Sequence, residues 1–187
     1  PDANDLCVFA VKRGIIEGRI DPHFYLPQFQ SIISVIKKNP YVQLGDIAKF
    51  SKETTDYSEF EAGTFEYLEI SGVSLGIDKY STTTTSVCEA PSRAKMRTKP
   101  LDIAVALTRP HRGAITLIKD KGIIASTGFS IIRDADYRVD KEWLLFVLLS
   151  NASLQQLLQR SSGGNYPAII EEEVKHIYLP LLDSEKQ

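Results

Sequence analysis

The chain has 187 residues, of which 43% are hydrophobic, so it can form one globular domain with a substantial core. Its formal net charge of −2, from 22 basic and 24 acidic residues, argues weakly against a nucleic-acid-binding protein, because Lys and Arg dominate phosphate binding. No stretch approaches the roughly 18 consecutive apolar residues of a membrane span, and the start lacks a signal peptide, so we expect a cytoplasmic protein without a membrane partner.

The first third of the chain is predicted to contain one regular helix. Residues 7–12 alternate loosely between apolar and polar, which favours an edge strand or an arm packed on the core. Over residues 27–38 the apolar side chains recur at helical spacing, and Asn39-Pro40 ends the pattern. Residues 44–50 predict a short element, either helical or turning into a strand.

Five short strands are predicted in the middle, where β-branched, aromatic and apolar runs alternate with Gly, Pro, Asp and Lys. They cover residues 65–70, 102–107, 113–118, 123–125 and 129–132. Between the first two strands, residues 71–99 predict a long loop that contains a threonine run and a basic segment. Long loops in compact domains are often functional.

Helical patterns return near the end of the chain. Residues 141–150 are apolar nearly all round, which predicts a buried helix, and residues 153–160 continue as a more polar helix. Residues 161–167 form a turn, and residues 171–174 and 176–182 predict one helical turn and a final strand. We therefore expect an α+β fold, a single globular domain with a compact, mostly antiparallel β-sheet and flanking helices.

Basic residues are concentrated in one window of the chain. Residues 91–112 contain six Lys or Arg and one Asp, so this window carries +5 and the remainder −7. A local positive field can meet a phosphate backbone while the acidic remainder limits non-specific attachment. The alternative is a solvated basic loop without a partner.

The sequence lacks the motifs that most catalytic sites require. Neither the dinucleotide-binding GxGxxG nor the phosphate-binding GxxxxGK[ST] loop is present. Three strings match part of a catalytic motif without its other elements: Asn39-Pro40-Tyr41 for a methyltransferase, Ser92 to Lys95 for a serine acyl-enzyme, and Glu173-Val174-Lys175 for a nuclease. We therefore predict that the chain is not an enzyme.

Metal-binding and disulfide patterns are also missing. His23, His111 and His176 are far apart and have no zinc-ligand spacing, so each is predicted to be structural or a surface contact. Cys7 and Cys88 form no close pair, which is typical of free thiols in a reducing compartment. A disulfide between the two cysteines is the alternative.

Two segments combine residues that suit contact with DNA. The string LTRPHRGAI (residues 107–115) places Arg109 and Arg112 three residues apart on a proline-stiffened turn, and Arg forks suit guanine edges and phosphates alike. The string SSGGNYPAI (residues 161–169) places two glycines, Asn165 and Tyr166 in one predicted turn. Its composition lets backbone N–H groups approach phosphate and lets Asn or Tyr reach polar edges.

With three further strings, these segments resemble a known family. GRIDPHFYLP (18–27), LGDIAKF (44–50), LTRPHRGAI, SSGGNYPAI and the closing VKHIYLPLL (174–182) follow the order typical of a target-recognition domain in the specificity (S) subunit of a type I restriction-modification enzyme. The resemblance assigns residues 1–182 to that domain and residues 183–187 to the start of a truncated spacer helix. Leu182-Asp183 departs from the family, which often has a further proline there.

The resemblance implies a non-catalytic protein of prokaryotic defence. In this family each target-recognition domain reads one half of a split site in double-stranded DNA. The chemistry belongs to the partner methyltransferase (M) subunit and, through it, to the restriction (R) subunit. S-adenosylmethionine, ATP and Mg²⁺ are accordingly expected on partner subunits, and no cofactor is expected on this chain. The bases that are read and the oligomeric state do not follow from the sequence.

Nine basic or amide side chains are candidates for DNA contact if the resemblance holds. Phosphate contacts would set the register, and a few side chains would read base edges. For each of the nine the alternative is a solvated charge or polar group, and for the two Arg of the turn also a role in turn packing. The primary candidates are Arg93, Lys95, Arg97, Arg109 and Arg112, later candidates are Arg160 and Asn165, and a second contact loop would include Lys49 and Lys52 with Thr54 and Thr55.

Two other functional readings remain open from the sequence. The chain can be the recognition domain of a single-chain restriction-methylation enzyme, in which case the parent gene encodes methyltransferase motifs. It can also be a protein-interaction domain whose basic window binds an acidic partner, in which case it shows no salt-dependent binding to duplex DNA.

Overall fold

The computed structural model describes residues 8–16, 18–57, 63–136 and 139–181, and its fold is α+β as predicted. Cys7 and the predicted spacer helix at 183–187 lie outside these ranges. The helices are α1 (Pro27–Ile36), α2 (Leu44–Ile47), α3 (Lys141–Leu149), α4 (Asn151–Arg160) and α5 (Glu171–Lys175). The strands are β1 (Tyr41–Gln43), β2 (Ala48–Phe50), β3 (Thr64–Leu68), β4 (Thr83–Ser86), β5 (Ala94–Arg97), β6 (Ile103–Ala106), β7 (Ile115–Leu117), β8 (Ile123–Ser126), β9 (Phe129–Ala135) and β10 (Tyr178–Pro180).

The described strands form three sheets rather than one. One four-stranded sheet has the order β2-β9-β6-β7 and is antiparallel throughout. The second has the order β4-β3-β8-β5, in which β3 and β8 are parallel and the other pairs are antiparallel. A short antiparallel pair joins β1, which follows α1, to β10 near the carboxyl end of the described chain. The prediction of mostly antiparallel strands is thus confirmed, but they are divided between layers.

The prediction of a long loop over residues 71–99 is wrong in two places, because this segment contains the strands β4 and β5. Threonine is β-branched and favours strands, and the threonine run pairs with β3. Thr82 and Thr84 each donate a side-chain hydrogen bond to the carboxylate of Glu66 on β3. These contacts fix the register of an edge strand that has little apolar surface.

The core is built in three layers around strand β6. Ile103 and Val105 face a cluster that includes Trp143 and Leu144 of α3, whereas Ala104 and Ala106 face the second sheet. All four residues of β6 are fully buried. The small alanines allow the two sheets to approach closely, and the β-branched residues fill the space under the helices.

Each of the two four-stranded sheets has one edge strand covered by irregular chain, which blocks pairing with other strands. Along β7, the Asp78 carboxylate accepts hydrogen bonds from the hydroxyl of Thr116 and the N–H of Leu117. Along β5, the N–H of Thr55 donates to the carbonyl of Lys95, and the N–H of Arg97 donates to the carbonyl of Glu53. Strand β5 is therefore held on both sides.

The first motif of the family resemblance forms a compact anchor. Asp21 accepts a hydrogen bond from the N–H of Phe24 and caps a 3₁₀ turn, Pro22–Tyr25. The carbonyl of Phe24 accepts a hydrogen bond from Gln159 on α4. Residues 8–12 lie outside any strand, so the predicted edge strand is not formed. No helix within the described ranges is long and apolar enough to cross a membrane.

Candidate nucleic-acid interface

Strand β5 displays three of the predicted DNA-contact residues side by side. Arg93 immediately precedes the strand, and Lys95 and Arg97 lie within it. All three side chains are exposed, and none forms a salt bridge with a residue that the structure describes. Their positive charges are therefore available to an external anion.

The turn after β6 docks on the glycine-rich loop 161–167. Arg109 lies in the left-handed region at φ 48°, and its N–H donates to the carbonyl of Pro167 over 2.7 Å. Its guanidinium donates to the backbone carbonyl of Asn165 over 3.2 Å and lies 3.8 Å from the centroid of the Tyr166 ring. The two predicted segments are thus one structural unit, held by hydrogen bonds and a cation–π contact.

Backbone hydrogen bonds place this unit at the end of the sheets where β5 begins. The carbonyl of Arg93 accepts from Thr127 in the β8–β9 turn, and the carbonyl of Gly128 accepts from Leu107. The carbonyl of Leu107 in turn accepts from Ile169. Arg93 and the two segments that carry Arg109, Arg112 and Asn165 therefore share one end of the molecule, and Lys95 and Arg97 extend along β5 from it.

The Arg160 side chain does not belong to this exposed surface. It is buried, with 6% of the residue exposed, and its guanidinium pairs with Glu173 of α5 at 2.9 Å. It also lies 5.3 Å from the ring centroid of Phe24 in the capped turn. These contacts indicate that Arg160 has a structural role and anchors the first motif. The sequence had predicted a DNA contact for this residue.

The second predicted contact loop is only partly exposed. Lys49 is exposed on β2, in register with Asp134 of β9. Lys52 forms a salt bridge of 2.6 Å with Glu171, so its charge is largely compensated. Thr55 is buried beside β5. This segment serves mainly to cover β5, and Lys49 is its exposed cation without a salt-bridge partner among the described residues.

An ion-pair network that sequence reasoning missed closes the opposite end of β5. Arg133 of β9 pairs with Glu53 at 2.6 Å and with the buried Asp102 at 2.9 Å. These hydrogen bonds to the two carboxylates raise the pKa of Arg133, and the contacts from Arg133 and Lys99 lower the pKa of Glu53. Lys99, part of the basic window, pairs with Glu53 at 3.1 Å. Lys99 is thus the compensated cation of the basic window, whereas the other five form no salt bridge with a residue that the structure describes.

The described residues contain no group of three or more His, Cys, Asp or Glu that could hold a metal ion. Cys88 is exposed as a free thiol.

No protein-family model and no curated protein matches the sequence.

Solved structures, in contrast, match most of the chain. The HsdS subunit from Thermoanaerobacter tengcongensis is 28% identical with a TM-score of 0.68, and the match covers 78% of this chain and 38% of that one. A second structure, from a study of complex assembly and conformational transition of the type I R-M system, is 29% identical with a TM-score of 0.67. The match covers 78% of this chain and 39% of that one. The resemblance to type I specificity subunits is confirmed.

A more distant specificity subunit has the same fold. The type I S subunit from M. genitalium is 17% identical with a TM-score of 0.51, and the match covers 78% of this chain and 34% of that one. This chain therefore spans less than two fifths of the length of the S subunits that it matches. Its similarity to S subunits also supports the prediction of a non-catalytic specificity-subunit domain.

Proposed function

We propose that the chain is a target-recognition domain that binds one half of a split site in duplex DNA. The observation that carries the proposal is the similarity to type I S subunits at 28% and 29% identity over 78% of the chain. Arg93, Lys95, Arg97 and Arg112 are exposed and form no salt bridge with a residue that the structure describes, so they supply the charge that such binding requires.

The two basic segments suit different parts of DNA recognition. Lys95 and Arg97 project from a strand whose backbone is paired on both sides, so they can meet successive phosphates without a change of fold. Arg109 is held by Asn165 and Tyr166, and a fixed guanidinium costs less conformational entropy on binding. Phosphate contacts from β5 would set the register, and the side chain of Asn165 would be available to a base edge.

The chemistry of restriction and modification would reside in partner subunits. An M subunit would bind S-adenosylmethionine, and an R subunit, reached through it, would use ATP and Mg²⁺. This chain would direct both to the DNA site and hold no cofactor itself. Such a role places the chain in the cytoplasm.

The direct test is the affinity of the protein for mixed-sequence duplex DNA at two salt concentrations, measured by fluorescence anisotropy. We expect the affinity to fall steeply with salt, and the double variant Lys95→Gln, Arg97→Gln to bind more weakly with a shallower salt dependence. The control is Lys121→Gln, which removes an exposed charge in the β7–β8 turn and should leave binding unchanged. Absence of salt-dependent binding by the wild-type protein would contradict the proposal and favour a protein-interaction domain.

A further inference from the structure

A cleft of about 490 Å³ lies between the Arg109 turn and the glycine-rich loop. Leu158 of α4 is among the residues that line it, and the described lining residues include no carboxylate. Two guanidinium groups and one imidazole provide its charge and proton donors. The lining residues are Arg109, His111, Arg112, Leu158, Gly164, Asn165 and Pro167.

Several hydrogen-bond donors at the cleft are unused by the part of the protein that the structure describes. Arg112 is exposed and forms no salt bridge there, and Arg109 uses its side chain for one hydrogen bond, to the carbonyl of Asn165. No described residue accepts a hydrogen bond from the N–H of Gly164 or Asn165. The Nδ1 atom of His111, which donates a hydrogen bond only when it carries a proton, is buried without a partner among the described residues. A cleft with this surplus of donors and no acid fits an anion.

The walls of the cleft are fixed before any ligand binds. Arg109 and Gly113 both lie in the left-handed region, at φ 48° and 74°, and they flank the 3₁₀ turn Pro110–Arg112. The carbonyl of Gly113 accepts a hydrogen bond of 2.9 Å from Gly76, so a neighbouring loop supports the turn from outside. A left-handed non-glycine residue costs free energy, and such strain often marks a binding site.

We propose that this cleft binds one phosphate group of the DNA backbone, between the guanidinium groups of Arg109 and Arg112 and the N–H groups of Gly164 and Asn165. The proposal rests on the proposed function and specifies one of its contacts. A phosphate suits this set of donors because all of its free oxygens accept hydrogen bonds. Guanine is the base whose major-groove edge presents only acceptors, and the base preference measured below distinguishes it from a phosphate.

The position of His111 couples phosphate binding to pH. Burial and the nearby charges of Arg112 and Arg109 lower the pKa of His111 in the free protein. Among the described residues, the other elements that line the cleft place no charged group there, since α4 contributes Leu158 and the loop contributes Gly164, Asn165 and Pro167. A bound phosphate would oppose the field of the two arginines and raise the pKa. Affinity should therefore increase as pH falls, by at most about tenfold per pH unit for one proton.

The test compares Arg112→Gln with Lys121→Gln in binding to duplex DNA. For Arg112→Gln we expect weaker binding to all sequences, unchanged base preference, and a slope of log K against log salt that is shallower by about 0.9, the value of one phosphate. We also expect His111→Gln to remove part of the pH dependence. A relaxed preference at one base pair would instead assign Arg112 to base reading and overturn the phosphate site, while leaving the proposed function intact. Equal behaviour of the two single-charge variants would also overturn it.

Titration with inorganic phosphate, followed by NMR, tests the cleft independently of DNA. We expect the amide signals of Gly164 and Asn165 and the ring signals of His111 to shift in the wild-type protein and to shift less in Arg112→Gln. No shift at any of these groups would contradict an anion site. Shifts with phosphate but no binding of duplex DNA would contradict both the proposed function and the assignment to the DNA backbone, and would identify free phosphate as the ligand.

Discussion

At the scale of single residues, the Arg109 unit shows how a predicted contact segment is built. Arg109 adopts a backbone conformation that non-glycine residues rarely adopt, and its side chain is held by the carbonyl of Asn165 and the ring of Tyr166. The sequence predicted that Arg109, Arg112 and Asn165 belong to exposed turns, because proline, glycine and asparagine mark turns. It did not predict that the two turns meet, because the residues are more than 50 positions apart and no local pattern encodes the contact.

Removal of the Tyr166 ring should loosen this unit. We expect Tyr166→Ala to lower the free energy of unfolding by about 0.5–1 kcal/mol, the range for an exposed cation–π contact, and to weaken DNA binding. Urea denaturation measures the first effect. The matched control is Ile170→Ala, an exposed apolar residue near the same loop, which should have little effect. Equal losses in the two variants would mean that the Arg109–Tyr166 contact does not stabilise the fold.

His111 should make stability depend on pH even without DNA. Its folded pKa lies below its unfolded value of about 6.5, so between the two values the unfolded chain binds more protons. The contribution to stability is therefore fully present above about pH 6.5 and is lost as pH falls through this window. We expect the free energy of unfolding of His111→Gln to decline less than that of the wild type as the pH falls from about 7 to about 5. Urea titrations of both proteins at several pH values in this range measure the difference. Parallel curves for the two proteins would refute the assignment.

At the scale of elements, the helices and most strands could be predicted because periodicity and turn residues are local signals. The described bounds of α1, Pro27–Ile36, and of α3, Lys141–Leu149, differ from the predicted ranges by at most two residues. The pairing of strands is different, because it depends on distant partners. No local sequence signal predicts the parallel pair of β3 and β8, in which Glu66 is in register with Ile123. The strand at the threonine run likewise depends on a distant partner, because its side chains donate hydrogen bonds to Glu66 on β3.

The ion pair between α4 and α5 should matter for folding rather than for DNA contact. Arg160→Ala removes the buried partner of an ion pair, whereas the partly exposed Glu173 keeps Arg19 at 3.5 Å, so the loss of stability should be about 2 kcal/mol. Arg112→Ala, at an exposed residue that forms no salt bridge with the described part of the chain, should change stability by less than about 0.5 kcal/mol. Thermal and urea denaturation distinguish the two. A small loss for Arg160→Ala would mean that the anchor of the first motif does not depend on this ion pair.

At the scale of the whole molecule, charge is separated although the net charge is only −2. The Arg133–Glu53–Asp102 network compensates one end of β5, whereas Arg93, Arg97 and the Arg109 turn remain without salt-bridge partners among the described residues. The basic window of the sequence therefore predicted the surface only in part, because Lys99 is compensated by an acid from outside the window. Such an arrangement provides a local positive surface on an acidic protein, which limits non-specific binding.

The most direct test of the central claim is selection of bound sequences from a pool of random duplex DNA by the wild-type protein at moderate salt. We predict that one short sequence, corresponding to one half of a split site, is enriched, and that the enrichment is reduced when Lys95 and Arg97 are both replaced by Gln. Recovery of a pool without any enriched sequence would contradict the claim that this chain recognises DNA by sequence.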